Sequence, residues 1–392
     1  MPIRANLIIV LFCLPLSVFC QVISSDSIQD ETLVDSLKQN QWTAESCERE
    51  LLNAVKNKDY NLAQKLLEAD CDPNGQERPE NISRDCPLTW AVSQNDTSMI
   101  QLLLHFGADP NYKRGDSWLS PFHFAAGQET EAFSLLLAAG GDVNTVSKHR
   151  YTPIYKAILK GRLENVKLLI EAGAPLEPDS LNFNYGPLHI AAIYGQNEII
   201  KYLLEKGVNP NALYYEEPGG DCYVCFMNVS PIEMAAGSPD LNDEERLSTV
   251  RLLCENGAAI NETEENDYDP LHFAVLTESE KTIEYLLEKG ADIGLSLIEA
   301  ARQPNVNTMR ILIEAGADVN LSHPRSGSPI NNALFYTLDG PMPEEDMMKR
   351  LPAVELLLDA GAKVDQSTID AVYKMQWDEV ICLFEDYCLI DD

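Results

Sequence analysis

The sequence predicts an all-α repeat solenoid, and three observations carry that expectation. A short motif, a small residue followed by Pro and then a branched or aromatic apolar residue, recurs seven times. A second motif occurs eight times: two large apolar residues, two polar or small ones, then Gly-Ala-Asp or a variant, with its glycine at 107, 140, 173, 207, 257, 290, 316 and 361. The intervals between these glycines are 33, 33, 34, 50, 33, 26 and 45 residues, so a unit of 33 recurs with insertions.

The first motif reads Cys86-Pro87-Leu88-Thr89, Ser120-Pro121-Phe122-His123, Thr152-Pro153-Ile154-Tyr155 and Gly186-Pro187-Leu188-His189. It returns as Ser230-Pro231-Ile232-Glu233, Asp269-Pro270-Leu271-His272 and Ser328-Pro329-Ile330-Asn331. A small polar residue before Pro is a helix N-cap, and Pro tolerates the first helical position because its missing N–H would be unbonded there anyway. Ala125-Ala126, Ala191-Ala192, Ala235-Ala236 and Ala300-Ala301 put small side chains where helices must approach closely. The second helix shows an apolar stripe at helical spacing, as in Ile199, Ile200, Leu203 and Leu204. Its closing glycine suits a left-handed C-terminal residue. Asp109-Pro110-Asn111 and Asp142-Val143-Asn144 then open hairpin turns. Each unit can bury its faces only against neighbours.

Together these motifs resemble the ankyrin repeat, whose pattern includes T-P-L-H-x-A, and the resemblance covers residues 44–392. It implies an array of about nine to ten repeats, each a helix–turn–helix with a β-hairpin finger. It also implies non-enzymatic recognition of proteins on the concave face of finger tips and first helices. His123, His189 and His272 fall on the family's His position, which implies a structural role within the stack. Residues 44–74 are expected to be a degenerate first unit with Asp70 where Gly is usual. Residues 366–387 are expected as capping helices, with Ile369, Val372, Val380, Ile381, Leu383 and Phe384 inward and Tyr387 replacing the glycine. The 26-residue interval implies one finger nearly deleted, with a helix beginning near Leu295. Longer departures fall at 75–85, 212–229, 237–247 and 335–351; the last is expected to be a solvated helix extension.

Residues 1–20 combine Arg4, an apolar run from Leu7 to Phe19 and Pro15, the pattern of a secretory signal peptide cleaved before Gln21. Lipidation of Cys20 is the lesser alternative, because Phe19 is large where a small residue is usual. The run is too short to span a bilayer, and no other stretch is long and apolar enough. Residues 21–43 read as a polar linker. The chain is thus expected in the periplasm or secreted. It carries 62 Asp or Glu against 29 Lys or Arg, a formal charge of −33 and a pI of about 4.4. That balance excludes a nucleic-acid binder, which needs a basic face. It also excludes charge-driven binding to anionic lipid. A basic protein partner is expected, with the chain itself a monomer.

Aromatic residues in the fingers are the candidate partner anchors: Tyr112, Trp118, Phe183, Tyr185, Tyr214, Tyr215, Tyr223, Phe226 and Tyr268. Those of residues 212–229 could instead fold the insertion onto itself. The chain beyond residue 20 holds eight Cys, and export predicts that some pair. Cys71 and Cys86 flank the first insertion and are the best expected disulfide; Cys222 and Cys225 are the second candidate pair. A zinc reading of that C-x-x-C lacks two further ligands. Cys254 is expected as a small buried hydrophobe, and Cys382 on the apolar stripe of the last helix.

No G-x-S-x-G, H-E-x-x-H or phosphate-binding glycine loop occurs, and nothing singles out a carboxylate pair for acid–base work, so no enzyme, cofactor or metal is expected. Glycosylation sequons stand at Asn81, Asn95, Asn228, Asn261 and Asn320. The leading expectation is an exported protein-binding scaffold. An inhibitor or immunity protein against a secreted toxin or hydrolase, and a secreted effector binding a host protein, are the alternatives.

Overall fold

A computed structural model describes residues 44–75, 86–113, 118–176, 185–213, 229–261, 269–303, 305–324, 326–335 and 344–387. The expected signal peptide and linker, and nearly all of the insertions at 75–85 and 212–229, lie outside these residues. Among the described residues there are twenty helices, forming ten consecutive pairs. The chain divides into two compact units, residues 1–109 and 110–392.

The first unit holds α1 (Ala44–Lys56), α2 (Tyr60–Glu68), α3 (Pro87–Ser93) and α4 (Thr97–His105). The second begins with α5 (Pro121–Ala126), α6 (Thr130–Ala138), α7 (Pro153–Leu159), α8 (Leu163–Glu171), α9 (Pro187–Ile193) and α10 (Asn197–Glu205). It continues with α11 (Pro231–Ala236), α12 (Asp243–Glu255), α13 (Pro270–Leu276), α14 (Glu280–Glu288), α15 (Ser296–Arg302) and α16 (Val306–Glu314). It ends with α17 (Pro329–Phe335), α18 (Glu344–Asp359), α19 (Gln366–Met375) and α20 (Asp378–Asp386).

The Pro motif sets the helix starts as the sequence implies. Ser120 Oγ accepts from the His123 N–H at 3.4 Å, and the Ser120 N–H donates to His123 Nδ1 at 3.2 Å. In α11 the Ser230 N–H donates to Glu233 Oε2 at 2.7 Å, so a carboxylate replaces the imidazole in the same reciprocal cap. First helices stack on first helices within the second unit, α9 lying between α7 and α11, while each second helix packs on its own partner. Ile154, Val166, Leu169, Leu188, Ile199 and Leu203 are buried there. Each contributes about 1.5–3 kcal/mol by leaving water.

Between pairs the chain runs through tight turns; the expected hairpins carry no strand among the described residues, and His323 and Gly327 form an isolated antiparallel bridge. At four of the turns an asparagine links one turn to the next. Asn111 Nδ2 donates to Gly140 O at 2.9 Å while its Oδ1 accepts from the Asp142 N–H at 2.8 Å. Asn211 does the same with Gly257 and Ala259, Asn261 with Gly290 and Asp292, and Asn320 with Gly361 and Lys363. Asn165, fully buried in α8, donates to Ala126 O and Gln128 O, both at 2.9 Å. Side-chain amides thus supply hydrogen bonds that a sheet would otherwise supply between neighbours.

The departures from the repeat have local causes. At 237–247 the buried Arg246 donates Nη2 to Ser238 O (2.7 Å) and Leu241 O (2.9 Å), and Asn242 with Glu245 caps α12. The insertion therefore becomes a tied turn plus a longer second helix of 13 residues. Residues 344–351 lengthen the start of α18, with Glu345, Asp346, Met348 and Lys349 exposed, while 336–343 of the expected extension lie outside the described residues. Leu295 occupies the N-cap of α15, so the shortened finger leads straight into that helix.

The cysteine expectations need correction. Cys71 is bonded to Cys47 of α1, with Cα atoms 5.8 Å apart, and not to Cys86. Cys86 is instead the N-cap of α3, its Sγ accepting from the Thr89 N–H at 3.3 Å and lying 2.9 Å from Thr89 Oγ1. A thiol there does the work that Ser or Thr does in other repeats. Cys382 is exposed, because the inward stripe of α20 runs through Val380 and Phe384 with Trp377 beneath, and position 382 points the other way. Cys254 is only half-buried, yet burial pushes its thiol up to about 11. Cys222 and Cys225 lie outside the described residues.

Candidate binding face

Of the nine expected anchors, Phe183, Tyr214, Tyr215, Tyr223, Phe226 and Tyr268 lie outside the described residues. Tyr112 and Tyr185 are half-buried. Trp118 stands before α5 with 56% of its surface exposed and φ of 52°, in the left-handed region where a bulky residue is rare. An exposed indole in a strained position is the strongest anchor among the three.

The structure adds aromatic residues that sequence reasoning passed over. Tyr151 stacks on Tyr155 of α7 with ring centroids 4.5 Å apart, and the Tyr155 hydroxyl reaches the Tyr194 hydroxyl at 3.4 Å. Burial, followed by the contact with Tyr194, raises the Tyr155 phenol well above its ordinary range. These tyrosines sit at regular repeat positions rather than in insertions, which is why loop length did not point to them. The available signal was Tyr155 standing where other repeats have His.

A polar cleft of about 470 Å³ lies in the second unit, lined by Arg302, Asn331, Asn332, Phe335, Ser367 and Thr368. Arg302 is paired with Glu299 at 2.6 Å, and Thr368 Oγ1 donates to Asn331 Oδ1 at 2.8 Å. The cleft offers hydrogen-bonding groups already bonded to one another. Among the described residues no group of three His, Cys, Asp or Glu gathers to hold a metal.

His123 and His189 are held neutral. His123 Nε2 donates to Tyr151 O at 3.1 Å and His189 Nε2 to Val229 O at 3.2 Å. Burial outweighs these bonds and lowers both imidazoles to about 4. The unfolded chain takes up these protons near pH 6.5, and the folded chain does so only near 4. Stability supplied by neutral His123 and His189 is therefore complete above about 6.5 and is lost as pH falls towards 4, by roughly 3 kcal/mol per residue at full effect. Urea midpoints measured from pH 7 to 4.5 are expected to fall along this curve. His123→Asn with His189→Gln should flatten it, and an unchanged slope in that variant would discard the assignment.

A family model described as ankyrin repeats (3 copies) matches residues 51–147, 122–213 and 235–296, more than half of the chain. The human transient receptor potential cation channel subfamily A member 1 is 28% identical over 186 residues, 45% of this chain and 15% of that protein. A putative palmitoyltransferase of Danio rerio is 29% identical over 213 residues, 54% of this chain and 30% of its own. A putative ankyrin repeat protein of Rickettsia felis is 26% identical over 196 residues, 46% of this chain and 48% of its own. The chain thus spans less than half the length of each of these relatives. The crystal structure of the human ASB11 ankyrin repeat domain aligns over 72% of this chain and 100% of its own, with 22% identity and a TM-score of 0.44.

Proposed function

The chain belongs to the ankyrin-repeat family, and on that premise we propose that it is an exported, non-enzymatic scaffold that takes a basic protein partner on its acidic surface. As an ankyrin-repeat protein it is a protein–protein interaction scaffold. The basic-partner reading rests on one observation: residues 168–392 carry 41 Asp or Glu against 13 Lys or Arg. Many of these carboxylates are exposed on second helices, including Glu244 and Glu245 of α12 and Glu284 and Glu288 of α14. Such a field accelerates encounter with a cationic surface and repels anionic competitors. Export is supported by residues 1–20 and by the Cys47–Cys71 disulfide, a cross-link retained mainly in oxidising compartments.

Affinity capture on the full chain from its own source tests this. The expected partner is a basic protein whose retention falls steeply as salt rises from about one Debye length of 30 Å to one of 8 Å. A partner held equally at both salts would remove the electrostatic part of the reading.

A further inference from the structure

Residues 113–167 reverse the charge of the rest of the chain, with eight Lys or Arg against five Asp or Glu. Two of those carboxylates are already engaged: Glu129 with Arg162 at 3.1 Å and Glu164 with Lys167 at 2.6 Å. Other cations of this stretch gather around the tyrosine stack. Lys113 Nζ donates to Val146 O at 3.1 Å, which lays its side chain along the turn before α7. Lys156 holds its ammonium 4.8 Å from the centroid of the Tyr151 ring. Lys160 follows one helical turn later, and Lys148, His149 and Arg150 stand exposed in the turn that ends at Tyr151. Among the described residues no carboxylate lies within ion-pair distance of Lys113, Lys148, Lys156 or Lys160.

Two physical consequences follow. Burial, and then repulsion from Lys160, hold the half-buried Lys156 ammonium below the ordinary lysine range, so this cation is partly stripped of water and faces an aromatic ring instead of an anion. An incoming carboxylate would relieve both effects. The stacked Tyr151 and Tyr155 faces beside it offer apolar contact for the residue next to that carboxylate.

We propose that the surface formed by Lys113, Lys148, Arg150, Tyr151, Lys156 and Lys160 is a second docking site that takes an acidic segment of a partner protein. A short acidic segment fits better than a long polyanion. A nucleic acid reaching beyond these residues would meet the strongly negative field of residues 168–392. The site rests on the scaffold reading for its biological sense, but it is opposite in sign to the surface assigned to a basic partner. A chain carrying both can hold two proteins of opposite charge at once.

The test is a fluorescence-anisotropy titration of the full chain with a labelled peptide rich in Glu and Asp and carrying one central Leu. A Lys-rich peptide, heparin and a single-stranded DNA oligomer serve as parallel probes. The acidic peptide is expected to bind, to weaken with salt, and to bind about tenfold more weakly to the Lys148→Glu, Lys160→Glu variant. Both positions are exposed, and helical circular dichroism checks the fold. Should that variant lose helix, Lys148→Gln with Lys160→Gln gives the same reading with a smaller loss. Equal binding by a folded variant overturns the proposal, and so does tighter binding of heparin or DNA than of the acidic peptide. If peptide binding persists while salt-sensitive capture of a basic protein fails, the acidic-face reading falls and this one stands. The reverse pattern removes this site alone.

Discussion

Cys47→Ser, or reduction of the unaltered chain, is expected to lower the unfolding free energy of residues 44–109 by about 3 kcal/mol. The bond closes a loop with a sequence separation of 24, so its loss frees the unfolded chain by the loop-closure entropy of that span. It matters here because α1 is a 13-residue helix, marginal in isolation and held by packing on α2 and α3. Trp90 of α3 reports on the region, since the Lys56 ammonium lies 4.5 Å from its ring centroid. Urea unfolding followed by tryptophan emission, with and without reductant, gives the magnitude. A non-reducing digest gives the connectivity, and the expected product joins the peptides of Cys47 and Cys71. A product joining Cys71 to Cys86, or midpoints indifferent to reductant, would refute the assignment.

Gly141→Ala is expected to destabilise the second unit by about 1–3 kcal/mol, through overpacking rather than through backbone strain. Gly141 is not in the left-handed region, but a Cβ built on it would come within 2.2 Å of the Phe122 ring, far inside van der Waals contact. The same repeat positions elsewhere hold a smaller first residue and a larger second one: Ile154 with Ala174, Ile232 with Ala258, and Leu271 with Ala291. In this repeat Phe122 has grown and residue 141 has shrunk to match it. Phe122 is fully buried and stacks on Phe133 at 5.3 Å. Phe122→Leu alone should cost about 1–2 kcal/mol for the volume it vacates. The double variant should cost less than the sum of the two, with a coupling of about 1 kcal/mol or more in the double-mutant cycle. Strict additivity in urea melts would show that the two residues do not compensate each other.

The sequence legibly carried whatever repeats. Each Pro after a small residue opens a helix, and the shortened finger before Ser296 follows from one short interval between glycines. Cysteine pairing was not legible, because it depends on how α1 lies against the end of α2. Chain adjacency favoured Cys86, while helix packing delivered Cys47. The role of Cys86 was visible in principle, since it fills the N-cap slot of its motif. In the last pair the stripe was read correctly at Val380 and Phe384, but Trp377, buried at the turn, was missed because it precedes the periodic segment. The basic surface escaped notice because the net charge of the whole chain hides a local reversal. The tyrosines beside it sit in repeat positions that read as core.

The asparagine that ties one turn to the next at four places also decides when the chain could be sugar-modified. Asn261 and Asn320 lie in sequons, yet each spends its amide nitrogen on a glycine carbonyl and its amide oxygen on a backbone N–H. A transferase must take hold of that same amide, so both acceptors are closed once the repeat on their far side has docked. Asn95 is exposed on the turn between α3 and α4. Any glycan on Asn261 or Asn320 would therefore record a chain caught before its repeats had stacked, whereas one on Asn95 would carry no such history.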